Sequence, residues 1–190
     1  MRMRRGVVGS VVAVPAAIVL AACGSSSSNS SIAAPTTSAS VASTPSTTAA
    51  ATSNFNSCSV VTQAEAASAI GQSVTPGVLG NATVEGGRAC VFYGPSAPTA
   101  TNPNVAQPDS VRVVVVKGSD ALTWYNDYKS SPAVHAQPIT GYGDQAYYDG
   151  YASLSVLKGD YYLRVAVSPA GAPASLSDEE QLATAILPKL

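Results

Sequence analysis

The sequence predicts an α+β domain: a single, twisted antiparallel sheet with two or three helices packed on it and one disulfide. Three observations carry that reading. After Pro138 the chain alternates apolar and polar residues in short runs separated by Gly turns, the pattern of antiparallel strands. Two capping boxes, Thr62-x-x-Glu65 and Ser177-x-x-Glu180, open helices near either end of this region. Helical and strand patterns also occur without a regular βαβ alternation, which argues against a parallel sheet. The folded part is placed at residues 54–190, long enough to bury one core.

Its elements follow in order. The first helix starts at Thr62, with Val61 as staple and Gly71 as stop, and turns Ala66, Ala69 and Ile70 inward. Arg88 to Gly94 reads as a strand, and residues 95–109, with four prolines, as an exposed connection. Ser110 to Lys117 is nearly continuous valine, the signature of a central strand covered on both faces. Asp120 to Tyr128 suits a short helix capped by Ser119, with Ala121, Trp124, Tyr125 and Tyr128 at helical spacing. A meander of three strands follows. Its first hairpin turns on two residues, Asp149-Gly150, and its second at Lys158-Gly159-Asp160. Tyr161, Leu163, Val165 and Val167 then alternate with Tyr162, Arg164 and Ala166. The last helix opens at Ser177, buries Leu182 and Ile186 on one face and is limited by Pro188.

Residues 1–53 are of a different kind. Arg2, Arg4 and Arg5 precede an uncharged apolar stretch, residues 6–22, which together read as an export signal. That stretch is slightly short of the roughly 20 residues a spanning helix needs, and Pro15 weakens a helix there. Leu20-Ala21-Ala22-Cys23 fits the bacterial lipobox, an aliphatic residue and two small ones before the cysteine that receives lipid. Small residues let a peptidase close on an extended backbone, and the thiol is where a thioether to diacylglycerol forms. Two or three acyl chains hold a protein firmly, each buried CH₂ contributing roughly 0.8 kcal/mol. Residues 24–53 are Ser, Thr, Ala or Pro except at Gly24, Asn29, Ile32 and Val41, and carry no charge. They read as a tether with a root-mean-square reach of roughly 30 Å, of a composition that also suits O-glycosylation.

With Cys23 lipidated outside the cytoplasm, Cys58 and Cys90 remain as a pair in an oxidising compartment, and a structural bridge between them is expected. Their spacing is not that of a redox CxxC motif.

Composition excludes several functions. Ten basic residues against eleven acidic ones supply no basic stripe for nucleic acid. Once the three N-terminal arginines are removed, seven bases face eleven acids, a net charge of −4. One histidine, His135, leaves few routes to a zinc site or a His-based triad. Gly141-Tyr142-Gly143-Asp144-Gln145-Ala146 matches G-x-G-x-x-A by letters, but a strand follows it where the dinucleotide motif needs a helix N-terminus. No G-x-S-x-G elbow is present. Asp144, Asp149 and Asp160 all sit at Gly turns, where Asp is favoured for its local hydrogen bonds. No catalytic constellation, metal site or cofactor is expected.

The aromatic residues have the widest functional reach. Eight of nine tyrosines fall between Tyr125 and Tyr162, together with Trp124. Such residues stabilise antiparallel sheets through cross-strand pairs, and where exposed they line ligand grooves. Trp124, Tyr125, Tyr128, Tyr142, Tyr148 and Tyr162 are the candidate binding surface.

The lipobox, the low-complexity tether, CSVVTQAEAASAIG, the second cysteine in RACVFYG, GYGDQAYYDG and the VLKGDYYLRV strand pair resemble small actinobacterial surface lipoproteins, including mycobacterial ones, with a two-cysteine domain of unknown function. The resemblance implies surface anchoring and a domain shared with extracellular sensor-like modules. It implies no catalytic residues. The expectation is a lipid-anchored, non-catalytic module on the cell membrane, binding a small apolar or glycan ligand or an envelope protein. The alternatives are an accessory subunit of an envelope complex, or a hydrolase using His135 and Asp144.

Overall fold

A computed structural model of the chain describes residues 53–190. The export segment 1–22, the lipidation site Cys23 and the tether up to residue 52 lie outside the described residues.

The domain is α+β, one seven-stranded sheet with three α-helices. In chain order the elements are α1 (Gln63–Ile70), β1 (Val78–Ala82), β2 (Gly87–Tyr93), β3 (Ser110–Lys117), α2 (Ala121–Lys129), β4 (Gln137–Ile139), β5 (Gln145–Tyr148), β6 (Ser153–Lys158), β7 (Tyr161–Ser168) and α3 (Leu176–Ile186). The strands lie in the order β1-β2-β3-β7-β6-β5-β4, and every pair is antiparallel.

Helix α1 forms where its capping box places it. Glu65 donates its backbone N–H to the Thr62 hydroxyl (3.2 Å), and the Thr62 N–H reaches the Glu65 carboxylate (2.8 Å). Gly71, at φ 72°, ends the helix in the left-handed conformation that an L side chain resists. Ala66, Ala69 and Ile70 are buried as expected.

Strand β3 runs through the middle of the sheet with both faces covered. Val111, Val113 and Val115 point to the side covered by α1 and α3, where they meet Phe92, Leu154, Val156, Leu163, Val165, Leu182 and Ile186. Val114 and Val116 point the other way, into two smaller clusters. One lies beneath α2 and includes Tyr125, Tyr147 and Tyr162; the other includes Ala82, Ala89, Val91 and Tyr93, with Ala97 packed against it. Each fully buried valine contributes about 1.5–3 kcal/mol relative to exposure.

Cys58 and Cys90 are joined as a disulfide, tying the 3₁₀ turn Ser57–Ser59 to β2. Just before it the chain enters the domain at the β2 and β3 ends. Ser53 donates its N–H to the Gly86 carbonyl (2.9 Å), and its hydroxyl accepts the Lys117 N–H (3.2 Å).

Four local expectations are corrected. The β5–β6 hairpin turns on four residues, 149–152, because Asp149 gathers three successive backbone amides there. Helix α3 begins at Leu176 with Ser175 as its N-cap residue, so Ser177 lies in the first turn and forms no capping box. Asp120, not Ser119, precedes α2, without a side-chain cap. Two edge strands, β1 and β4, complete a sheet larger than the strand patterns indicate.

Candidate functional site

Strand parity puts Tyr162, Arg164 and Ala166 of β7 on the face opposite α1 and α3. A charged residue in a central strand beneath a helix and a turn needs partners, and Arg164 has several. Its Nη1 donates to Glu85 Oε1 at 2.5 Å, its Nη2 to the Tyr128 hydroxyl at 2.6 Å, and its Nε to the Ser153 hydroxyl at 3.0 Å. Asp149 Oδ2 lies 3.6 Å from Nη2, and the guanidinium carbon stands 4.4 Å from the centre of the Tyr128 ring. Five parts of the chain converge here: the β1–β2 turn (Glu85), α2 (Tyr128), the β5–β6 turn (Asp149), β6 (Ser153) and β7.

Arg112 of β3 shares the same carboxylate, with Nη1 3.4 Å from Glu85 Oε1. Burial pulls the Arg112 guanidinium down while Glu85 pulls it up. Arg164 is held above its ordinary value: burial opposes charge, but Glu85 and the surrounding tyrosines and Asp149 overcome that. For the Asp149 carboxyl, burial acts upward, yet bonds from the Ser153 hydroxyl and the amides of Tyr151, Ala152 and Ser153 hold it below its usual range. Desolvation lifts the neighbouring phenols, Tyr125 and Tyr147 to about 12.

Above Arg164 opens a cleft of about 460 Å³, within the roughly 300–1,000 Å³ of small-ligand sites. Val84, Val134, Tyr151 and Ala152 give it apolar lining, and Tyr128, Asp149 and Arg164 its polar groups. Val84 and Tyr151 are among the most exposed apolar side chains of the described residues, at 67% and 59%. A second hollow of about 240 Å³ between Ser73–Thr75 and Tyr93–Pro95 carries no charged side chain.

The six aromatics expected to share a surface do not. Tyr128 alone lines the cleft. Trp124, half-buried, lies against Gly86 in the turn that also carries Val84 and Glu85. Tyr125 and Tyr162 are fully buried and leave the candidate surface; they pack edge to face at 5.8 Å, and Tyr125 meets Tyr147 at 5.1 Å. Tyr142 packs against the α1/α3 core on the opposite face. Tyr148 follows Ala146 by two residues and so shares that face too, where its hydroxyl donates to the Tyr151 carbonyl at 2.7 Å.

His135 and Asp144 stand at opposite ends of β5 and are not assembled into a pair. His135 is exposed beside Tyr151, with its N–H on the Asp149 carbonyl, whereas Asp144 accepts the Gly159 N–H in the β6–β7 turn. Among the described residues no group of three or more His, Cys, Asp or Glu could hold a metal ion, and no helix is long and apolar enough to cross a membrane.

Strand alternation missed Arg164 as a site residue because it placed it on a polar side without saying what covers that side. Val84 and Glu85 gave no signal beyond turn composition, and Tyr151, one of the clustered tyrosines, was not among the six candidates although it is the exposed one. No family model matches this chain, and no match was found among curated proteins or solved structures.

Proposed function

We propose that this chain is a lipid-anchored, extracytoplasmic binding module, held at the cell membrane through Cys23 and presenting the Arg164 cleft to a small ligand. The lipobox Leu20–Cys23 supports the anchoring, and so does the pairing of the other two cysteines, since disulfides persist outside the reducing cytoplasm. The same layout supports a place among the small actinobacterial surface lipoproteins that the chain resembles.

The observation that carries the binding role is the cleft itself. It combines apolar lining with a few convergent polar groups, Tyr128 of α2, Asp149 of the β5–β6 turn and Arg164 of β7, the make-up of small-molecule sites. A concave site of this size favours a small molecule over a flat protein partner. The reading is non-catalytic, because each polar group at the floor is already used to hold Arg164 or the β5–β6 turn.

Two measurements on chain extracted from its native envelope test this. Mass spectrometry of the N-terminal peptide should find diacylglycerol on Cys23; an unmodified chain beginning at Met1 overturns the anchoring. Native mass spectrometry should find a co-purifying small molecule that is lost on Tyr151→Ala. A fixed protein partner retained by that variant would favour an accessory subunit instead.

A further inference from the structure

We infer that the cleft takes a neutral saccharide, whose apolar ring face lies on Tyr151 and Val84 and whose hydroxyls meet Tyr128 and Arg164. This rests on the cleft being the binding site and adds the chemical class of its ligand.

The charge in the cleft decides against an ion. Its two charged lining residues, Arg164 and Asp149, balance each other, and behind them Arg112 is balanced by Glu85. Each nitrogen of the Arg164 guanidinium makes one hydrogen bond in the fold, which leaves a second hydrogen on Nη1 and on Nη2. Asp149 Oδ1 accepts three amides, and its Oδ2 accepts the Ser153 hydroxyl. An arriving anion therefore finds no spare positive charge, and a cation no spare negative one. Either would give up hydration without gaining a counter-charge.

A wholly apolar ligand fits no better. It would strip water from the Arg164 guanidinium and the Tyr128 hydroxyl and return no hydrogen bond, which costs roughly 1–3 kcal/mol per group left unsatisfied. The Tyr128 hydroxyl accepts from Arg164 and lies beside the Ser153 hydroxyl, and it lines the cleft where a ligand hydroxyl meets it.

The walls call for the other half of a sugar, its face of C–H bonds. Tyr151 presents an exposed ring on a backbone held at both ends: its N–H is given to Asp149 Oδ1 at 2.9 Å, and its carbonyl accepts the Tyr148 hydroxyl. An exposed aromatic on so fixed a turn is preorganised as a platform. Val84 supplies a second exposed apolar surface in the same cleft. Among small ligands, a neutral saccharide joins both halves in one molecule.

The test uses the full mature chain in a sugar-free zwitterionic detergent. Binding is measured by calorimetry and by emission of Trp124, the one tryptophan, which rests on the turn bearing Val84. The probes are neutral di- and trisaccharides of hexoses and pentoses, a uronic-acid disaccharide as anion, and decanol as apolar ligand. At least one neutral saccharide should bind saturably. Tyr151→Ala and Tyr128→Phe should each weaken it about tenfold, and Tyr142→Ala, on the opposite face, should leave it unchanged. If only the uronate or decanol binds, and does so through Tyr151, the saccharide inference falls while the cleft stands. Saccharide binding indifferent to both tyrosines also overturns it. If none of the probes binds, the inference and the cleft reading fall together.

Discussion

Glu85 Oε1 stands 2.5 Å from Arg164 Nη1, across 79 residues of sequence, and pins the β1–β2 turn over the centre of the sheet. The same oxygen faces Arg112, so one carboxylate serves two buried guanidinium groups. Removing its charge leaves both arginines beside each other with Asp149 as the remaining acid. Breaking a buried pair typically costs about 3–5 kcal/mol, because the orphaned charge stays in place. Glu85→Gln should therefore lower stability in urea by about that amount. Adding Arg112→Met to Glu85→Gln should restore part of it, since one uncompensated charge goes and the buried Arg112 Nε, which has no partner, goes with it. A double variant no more stable than Glu85→Gln alone would show that Arg112 does not depend on this carboxylate.

Gly86 is where that turn meets α2. Its φ of +72° suits glycine, and a Cβ there would run into the Trp124 indole across the middle of the ring. Gly86→Ala must therefore strain the backbone and displace the indole together. A loss of about 1–3 kcal/mol is expected, as for overpacking elsewhere, with Trp124 emission shifted to the red as the ring moves into water. Gly118→Ala is the matched control: its φ is also positive, but a Cβ there meets open space, so strain alone should appear without the emission shift.

The disulfide closes a loop with a sequence separation of 32, from the 3₁₀ turn before α1 to β2. Both sulfurs lie at the α1/α3 core, where Cys90 is fully buried. In the chain-entropy account, opening such a loop costs roughly 3–4 kcal/mol. The Cys58→Ala, Cys90→Ala double variant should lose about that much in urea unfolding with little change in far-ultraviolet circular dichroism. Equal stability of the two proteins would mean that packing of Ser57 and Phe55 already fixes this segment.

What could be read from the sequence, and what could not, follows from how local each determinant is. Val111–Val116 declared a doubly covered strand because the signal is in the residues themselves. Strand β1 did not, because Gly80 and Asn81 interrupt its pattern for reasons that lie in the proline-rich connection. A Cβ at Gly80 would strike Pro103, and the Asn81 N–H is taken by the Asn104 side chain. Strand β4 is three residues around Pro138, too short to show a period. The four-residue hairpin turn depends on one carboxylate collecting three amides, and Asp-Gly by letters gives the commoner two-residue form. The tyrosines read as one set by proximity in sequence, yet strand parity alone separates Tyr147 from Tyr148 onto opposite faces. Arg164 was legible as a position in a strand, while its partners come from four other segments.

Glu179 gives the protein a pH dependence of definite sign. It is fully buried in α3, with Oε1 accepting the Val167 N–H at a long 3.5 Å and Oε2 without a partner. Desolvation pushes its carboxyl from an ordinary 4.5 up to about 8; the Val167 bond pulls weakly down, Asp149 and Asp178 push further up, and Arg164 pulls down. A raised folded value means that the folded chain keeps a proton which the unfolded chain releases. Stability from this group is therefore complete below about pH 4.5 and is lost as pH rises from there to about 8, beyond which it changes no further. Through the middle of that window the slope is about 1.4 kcal/mol per pH unit. Glu179→Gln, which cannot ionise, should match the parent near pH 5 and exceed it in stability increasingly up to pH 8. Urea midpoints of the two proteins at pH 5, 6, 7 and 8 measure the difference, and other titrating groups largely cancel between them. Parallel stability curves across that range would show that Glu179 ionises in the fold as readily as in water, so that α3 opens to admit solvent at that point.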